Sequence, residues 1–173
     1  VKVNQFISDA FQAVQSGDVA AIRAILESNP IIINAENSEG LTLLGFAAHY
    51  GNKDVVQVLL EHGVDVNAVS HSKVTYIPSN TALHAAIAGQ RNMEVIKLLL
   101  AKQARSHIFD SNGHTTLHTA AFHDDNIELI RLLIEHGADV NARIEGGDTA
   151  MSIAIKQGNT NVAEFLRQCG AMQ

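Results

Sequence analysis

Four threonines frame this chain. Thr42, Thr81, Thr115 and Thr149 each open a similar block: Leu41-TLLGFAA-His49, Asn80-TALHAA-Ile87, His114-TTLHTAA-Phe122 and Asp148-TAMSIA-Ile155. Thr81 to Thr115 and Thr115 to Thr149 are each 34 residues, while Thr42 to Thr81 is 39. A recurring unit of this length cannot bury its own apolar face, so units must stack on their neighbours.

One unit can be read from Gly113 to Ala142. Thr115 can cap a short helix to about His123, because its hydroxyl accepts amide protons of the first turn. After Asp124-Asp125-Asn126, a second helix runs from about Ile127 to His136. Gly137 stands where a left-handed C-terminal cap is wanted, and Ala138-Asp139-Val140-Asn141 leads away in extended form. Leu129, Ile130, Leu132, Leu133 and Ile134 cover more than one face of that helix, which implies a neighbour on each side.

The pattern G-x-T-x-L-H-x-A-A, two helices, then H-G-A-D-V-N-A resembles the ankyrin repeat. The resemblance covers roughly residues 4 to 173. It implies an all-α ankyrin-repeat solenoid, one domain of five stacked helix-turn-helix repeats with β-turn fingers, over 4–36, 37–69, 76–109, 110–143 and 144–173. Its first and last units would act as caps, where stacking stops. The first lacks the signature: Ser8 to Gly17 reads as its first helix, Asp18 as the cap of VAAIRAILES, and Asn29-Pro30 as the stop.

Family members usually place Pro after the signature Thr; Leu43, Ala82, Thr116 and Ala150 stand there instead. His84 and His118 fall on the family's structural histidine, which ties the turn to a neighbouring helix. Gly45 and Ser152 replace it in the other two blocks. Ala47-Ala48, Ala85-Ala86 and Ala120-Ala121 are small where first helices approach closely. Gln103 takes the place of the capping Gly, where a left-handed backbone costs about 1 kcal/mol. The surplus before the third unit lies in Val69 to Asn80, a longer finger with Val74, Tyr76 and Ile77 among polar residues.

Composition narrows the function classes. Net charge is −6 and the lysines and arginines are scattered singly, which argues against nucleic acid or anionic lipid as ligand. No apolar run approaches the length of a membrane span and the N-terminus has no signal-peptide pattern. The chain also lacks a starting Met, which suits a fragment. Cys169 is the one cysteine, consistent with an intracellular, cytoplasmic setting. The chain is expected to be monomeric.

No catalytic constellation, metal or cofactor is expected. His114, His118 and His123 lie close in sequence, and His114/His118 have the i, i+4 separation of a ligand pair. However, His114 precedes the helix, and no acidic or cysteine ligand is placed to complete a site. Asp124-Asp125 reads as a solvated break between helices. The function expected is non-catalytic binding of a partner protein. The alternatives are a metal-binding or enzymatic protein using the three histidines, or a spacer in a longer chain.

In ankyrin proteins the fingers and the exposed side of each first helix carry recognition. Aligned on the signature Thr, the finger positions are Ser38, Glu39 and Leu41; Ile77, Pro78 and Asn80; Ser111, Asn112 and His114; and Glu145 and Asp148. The helix positions are His49 and Tyr50, Ala88 and Gly89, Phe122 and His123, and Lys156 and Gln157. The small pair Ala88-Gly89 would form a shallow notch flanked by His49-Tyr50 and Phe122-His123. The partner-binding set is therefore His49, Tyr50, Tyr76, Ile77, Asn112, His114, Phe122 and His123.

Overall fold

The computed structural model describes residues 2–144 and 147–172. Among these residues it is all α, apart from one 3₁₀ turn at Pro30–Ile32 and two isolated bridges, Glu36 with Thr42 and Arg143 with Thr149. The finger position Glu145 lies outside the described residues. The chain divides into two compact units, Val1–Ala104 and Arg105–Gln173.

In the first unit the helices come in pairs: α1 (Lys2–Ser16) with α2 (Val19–Ser28), α3 (Leu43–Tyr50) with α4 (Lys53–Glu61), and α5 (Ala82–Ala88) with α6 (Met93–Ala101). The first helices α1, α3 and α5 pack in succession, and the second helices α2, α4 and α6 do the same. In the second unit α7 (Thr116–His123) packs on α9 (Ala150–Gln157), and α8 (Ile127–Glu135) on α10 (Thr160–Gln168). The expected alanines are the contact: Ala47, Ala48, Ala86, Ala120 and Ala121 are buried to 1% exposure or less. A larger side chain there would overpack the stack.

All four signature threonines cap their helices. Thr42, Thr81, Thr115 and Thr149 accept from the amides of Gly45, His84, His118 and Ser152. Where the third residue is His or Ser, its side chain returns the bond to the threonine amide, making a reciprocal box. Thr116, at the position the family gives to Pro, is fully buried and donates its hydroxyl to the Ser106 carbonyl at 2.9 Å.

Three details depart from the sequence reading. Helix α1 begins at Lys2, not Ser8; the added turns are largely exposed, and Gln5 donates to Asp9 along them at 2.8 Å. The caps of the two helices in a pair are ten residues apart from Thr42 to Asn52 and from Thr149 to Asn159, but eleven from Thr81 to Asn92 and from Thr115 to Asn126. The turn between the paired helices holds four residues after α5 and three after α7, against two after α3 and after α9.

The third departure is Asp125, which is no solvated break. Its carboxylate accepts the Val162 amide at 2.8 Å and the Asn161 side-chain amide at 2.9 Å. Val162 lies in the first turn of α10, whose own cap Asn159 makes no side-chain capping bond. Asp125 therefore caps a helix of the next repeat, where negative charge also suits the helix dipole.

Gln103 keeps the left-handed backbone of the glycine it replaces, at φ 73°. Its carbonyl accepts from the Asn67 side chain at 3.0 Å, and the Asn141 side chain reaches the Gly170 carbonyl in the same way at 3.3 Å. The cross-repeat bond needs the bent cap, so the local strain persists.

Two outcomes follow for unfolding midpoints in urea. Gln103→Gly should stabilise the chain by up to about 1 kcal/mol, since glycine takes this backbone freely. Asp125→Ala should destabilise it by about 1–2 kcal/mol, and Asp125→Asn by less, because the amide oxygen can still accept.

Candidate functional site

The fingers expected to carry recognition are built by asparagine and aspartate. In the first unit Asn37 Oδ1 accepts the amides of Glu39 and Leu41, and the Asn37 amide donates to the Leu41 carbonyl. Asp110 does the same in the second unit, accepting the amides of Asn112 and His114 at 2.9 Å each. Gly40 and Gly113 complete these turns at φ 79° and 78°. Each finger is a closed turn with side chains fanned outward.

The long finger is an ordered loop, not a loose insertion. Ser70 is buried; its amide donates to the Asn80 carbonyl and its hydroxyl accepts the Asn80 amide. His71 and Lys73 donate their amides to the carbonyls of Gly40 and Glu39, so the loop pairs with the preceding finger. A Cβ on Gly40 would stand 1.9 Å from the His71 carbonyl oxygen, so no other residue permits this approach. His71 Nδ1 also meets the Glu36 carboxylate at 2.6 Å. The loop presents Tyr76, 86% exposed, with Ile77 half-buried beside it.

On the helices of the first unit, Tyr50 is 42% exposed and packs edge-on against Phe46 and His49, with Phe46 edge-on against Phe11 in turn. One side of the Tyr50 ring is thus held and the other is open. Ala88 and Gly89 belong to the same unit, and Gly89 is no notch. A Cβ there would stand 2.2 Å from the His49 carbonyl oxygen and 2.7 Å from its Nδ1. The Gln90 amide donates to that same carbonyl. Glycine is present because two helix ends meet there.

The second unit holds Asn112, His114, Phe122 and His123. Phe122 is about half exposed and its ring meets that of His123 at 5.1 Å, edge-on. Phe109, just before the Asp110 turn, is equally exposed; an apolar residue outside any helical period was its only mark in the sequence. Asp148 and Lys156, both expected to face a partner, bond each other at 2.8 and 2.9 Å. The Lys156 hydrogen bond holds the Asp148 carboxyl below its usual range.

The histidine cluster is divided among other tasks. Thr115 donates its amide to His118 Nδ1 at 3.0 Å, so the ring proton sits on Nε2, which donates to the Ala142 carbonyl at 3.0 Å. Both ring nitrogens are therefore used within the fold. The His114 and His118 rings lie 6.0 Å apart, and His114 Nδ1 is 4.0 Å from the Asp110 carboxylate. Among the described residues no three His, Cys, Asp or Glu side chains are grouped to hold a metal ion, and no helix is long and apolar enough to cross a membrane.

Burial pushes His118 below the ordinary histidine value of 6.5, against the pull of its bond to Ala142. Its folded form favours the neutral ring, so its contribution to stability is complete above about pH 6.5 and declines as pH falls below it. The urea midpoint should therefore drop between about pH 7 and pH 5.5, more steeply in the wild type than in His118→Gln, whose amide can cap without titrating.

A family model for ankyrin repeats in three copies matches residues 10–70 and 83–172, and one for ankyrin repeats in many copies matches 46–100. Among curated proteins, the chain is 40% identical over 82 residues to the serine/threonine-protein kinase VIK of Arabidopsis thaliana, covering 47% of this chain and 17% of that protein. It is 33% identical over 105 residues to the palmitoyltransferase Hip14 of Drosophila melanogaster, covering 61% and 15%. It is 32% identical over 107 residues to ankyrin repeat and SAM domain-containing protein 6 of Rattus norvegicus, covering 62% and 11%. The chain thus spans less than a fifth of the length of each of these relatives.

Proposed function

Because the chain belongs to the ankyrin-repeat family, we propose that it is a non-catalytic module that binds a partner protein through the side chains its framework leaves outward. The observation that carries this reading is the division of labour among its polar groups. Threonines, the motif histidines, Asp110, Asp125 and the cap asparagines satisfy one another inside the fold. Among the large apolar side chains left exposed are Tyr50, Tyr76 and Phe122, and the rings of Tyr50 and Phe122 each rest on a neighbouring ring. Tyr50 with His49, and Tyr76 with Ile77, form the contact positions of the first unit; Phe122 with His123, and Asn112 with His114, form those of the second.

Aromatic side chains fixed on one side are good anchors, since little rotamer entropy is lost when the other side is covered. The relatives support the same reading. A kinase and a palmitoyltransferase share these repeats with a protein named for its SAM domain. Such different proteins have a binding scaffold in common more readily than a reaction. A metal-binding or catalytic site built on His114, His118 and His123 would need His118 released from two hydrogen bonds.

Capture of partners from a lysate by the wild type and by a Tyr50→Ala/Phe122→Ala variant, compared at equal folded concentration, tests the proposal. Loss of one or more partners, with affinity weakened by at least about 2 kcal/mol, is the expected result. An unchanged set of partners would point to a spacer or to another face.

A further inference from the structure

We propose that Asn112 is a site of spontaneous covalent modification, where the side-chain amide is lost by attack of the following backbone nitrogen. Asn112 and Gly113 form the one Asn-Gly pair in the chain. In this reaction the Gly113 nitrogen gives up its proton and bonds to the Asn112 side-chain carbonyl carbon. Ammonia leaves and a five-membered imide closes. Water then opens the imide at either carbonyl, giving an aspartyl or an isoaspartyl residue. Glycine is the follower that least hinders the attack, having no Cβ beside the nucleophile and wide backbone freedom.

The surroundings and the following residue together single out this asparagine: Asn4 and Asn80 also make no side-chain hydrogen bond among the described residues, but they precede Gln5 and Thr81, whose side chains hinder the attack. Asn52, Asn92 and Asn126 use their side-chain oxygens as helix caps. Asn34 accepts the Asp65 amide, Asn67 and Asn141 donate across repeats, Asn159 donates to the Ala121 carbonyl, and Asn161 is bound by Asp125. Asn37, at the base of the other finger, accepts two backbone amides and is followed by serine. Asn112 is exposed, and its side-chain amide has no hydrogen-bond partner among the described residues; only its backbone is held, by Asp110. The carbonyl carbon is thus free to rotate toward the chain.

The fold also sets a brake. The Gly113 amide donates to the Asp110 carbonyl at 3.0 Å, and the Asp110 amide donates to the His114 carbonyl at 2.8 Å. The turn must open before the nitrogen can attack, so the reaction reports the opening of this finger. Its product adds a negative charge three residues before Thr115. The first unit already carries a carboxylate at the same offset from Thr42, Glu39. An isoaspartyl product would also lengthen the backbone inside the turn. Any effect on partner capture rests on the binding reading above; the reaction itself does not.

The test is peptide mass spectrometry of the intact chain aged in mildly alkaline buffer, beside a sample unfolded in urea. A gain of one mass unit is expected at Asn112, at least about tenfold faster than at any other asparagine and slower than in urea, with two chromatographically distinct products. Asn112→Gln should remove this fast change from the chain. The proposal is overturned if another asparagine reacts as fast, or if position 112 keeps its amide in the native chain while the unfolded sample loses it. Neither result depends on any partner being known.

Discussion

A helix of eight residues leaves about four amide protons at its start without intrahelical partners. The helices α3, α7 and α9 are each that short, and α5 is shorter still. Isolated, none would persist in water. The threonine before each helix, and in α5, α7 and α9 the side chain three residues on, are therefore conditions of the fold. His118 extends the device: one nitrogen closes the cap while the other fixes the Ala142 carbonyl, at the base of the following finger. A single side chain sets helix start, finger position and repeat spacing together.

A second set of bonds runs between neighbouring repeats. The cap asparagines of second helices donate back to the end of the preceding first helix, as Asn92 does to Gly51 and Asn159 to Ala121. At the other end of the pair, Asn67 and Asn141 reach forward to the left-handed caps at Gln103 and Gly170. Each bond spans roughly one repeat, so register is specified by polar contacts while alanine and leucine supply the apolar area. Among the described residues, no buried side-chain nitrogen or oxygen lacks a partner. With polar demand met inside, Tyr50, Tyr76 and Phe122 remain exposed on the long finger and at helix ends.

Much of this framework was legible in the sequence, because it repeats. Thr, the motif His, the alanine pairs and the capping glycines recur at fixed offsets, and each recurrence restates the same local need. What was not legible is what happens once. Asp125 looks like a solvent-facing residue in a polar break, and only the packing of α8 on α10 brings the orphan amides of α10 within its reach. Gly89 reads as a gap between large neighbours, but its missing Cβ is occupied by the His49 backbone. The extra turns of α1 follow no capping residue in the sequence, although Val3, Phe6 and Ile7 extend the apolar period of Ala10, Phe11 and Val14. The finger at 69–80 shows its length in the spacing; its pairing with Gly40 depends on a backbone contact that no side chain records. Offsets from the signature Thr fall on exposed residues at Tyr50, Asn112 and Phe122 but on half-buried ones at Leu41, Ile77, Asn80 and His114, and could not foresee that Asp148 and Lys156 would satisfy each other.

Four histidines, His62, His84, His118 and His136, therefore serve as structural pins, each with the tautomer its neighbours impose. In His84 and His118, Nδ1 faces a threonine amide and must accept, leaving the proton on Nε2. In His62 and His136, at the ends of α4 and α8, Nδ1 lies 2.8 and 2.9 Å from the carbonyls of Val58 and Leu132 and must donate. Nitrogen NMR of the imidazoles at neutral pH, with and without added zinc, distinguishes the pairs directly. Opposite tautomers, unmoved by zinc, are the expected result. The same tautomer in both pairs, or a zinc-induced change at His118, would contradict the assignment of these side chains to the framework.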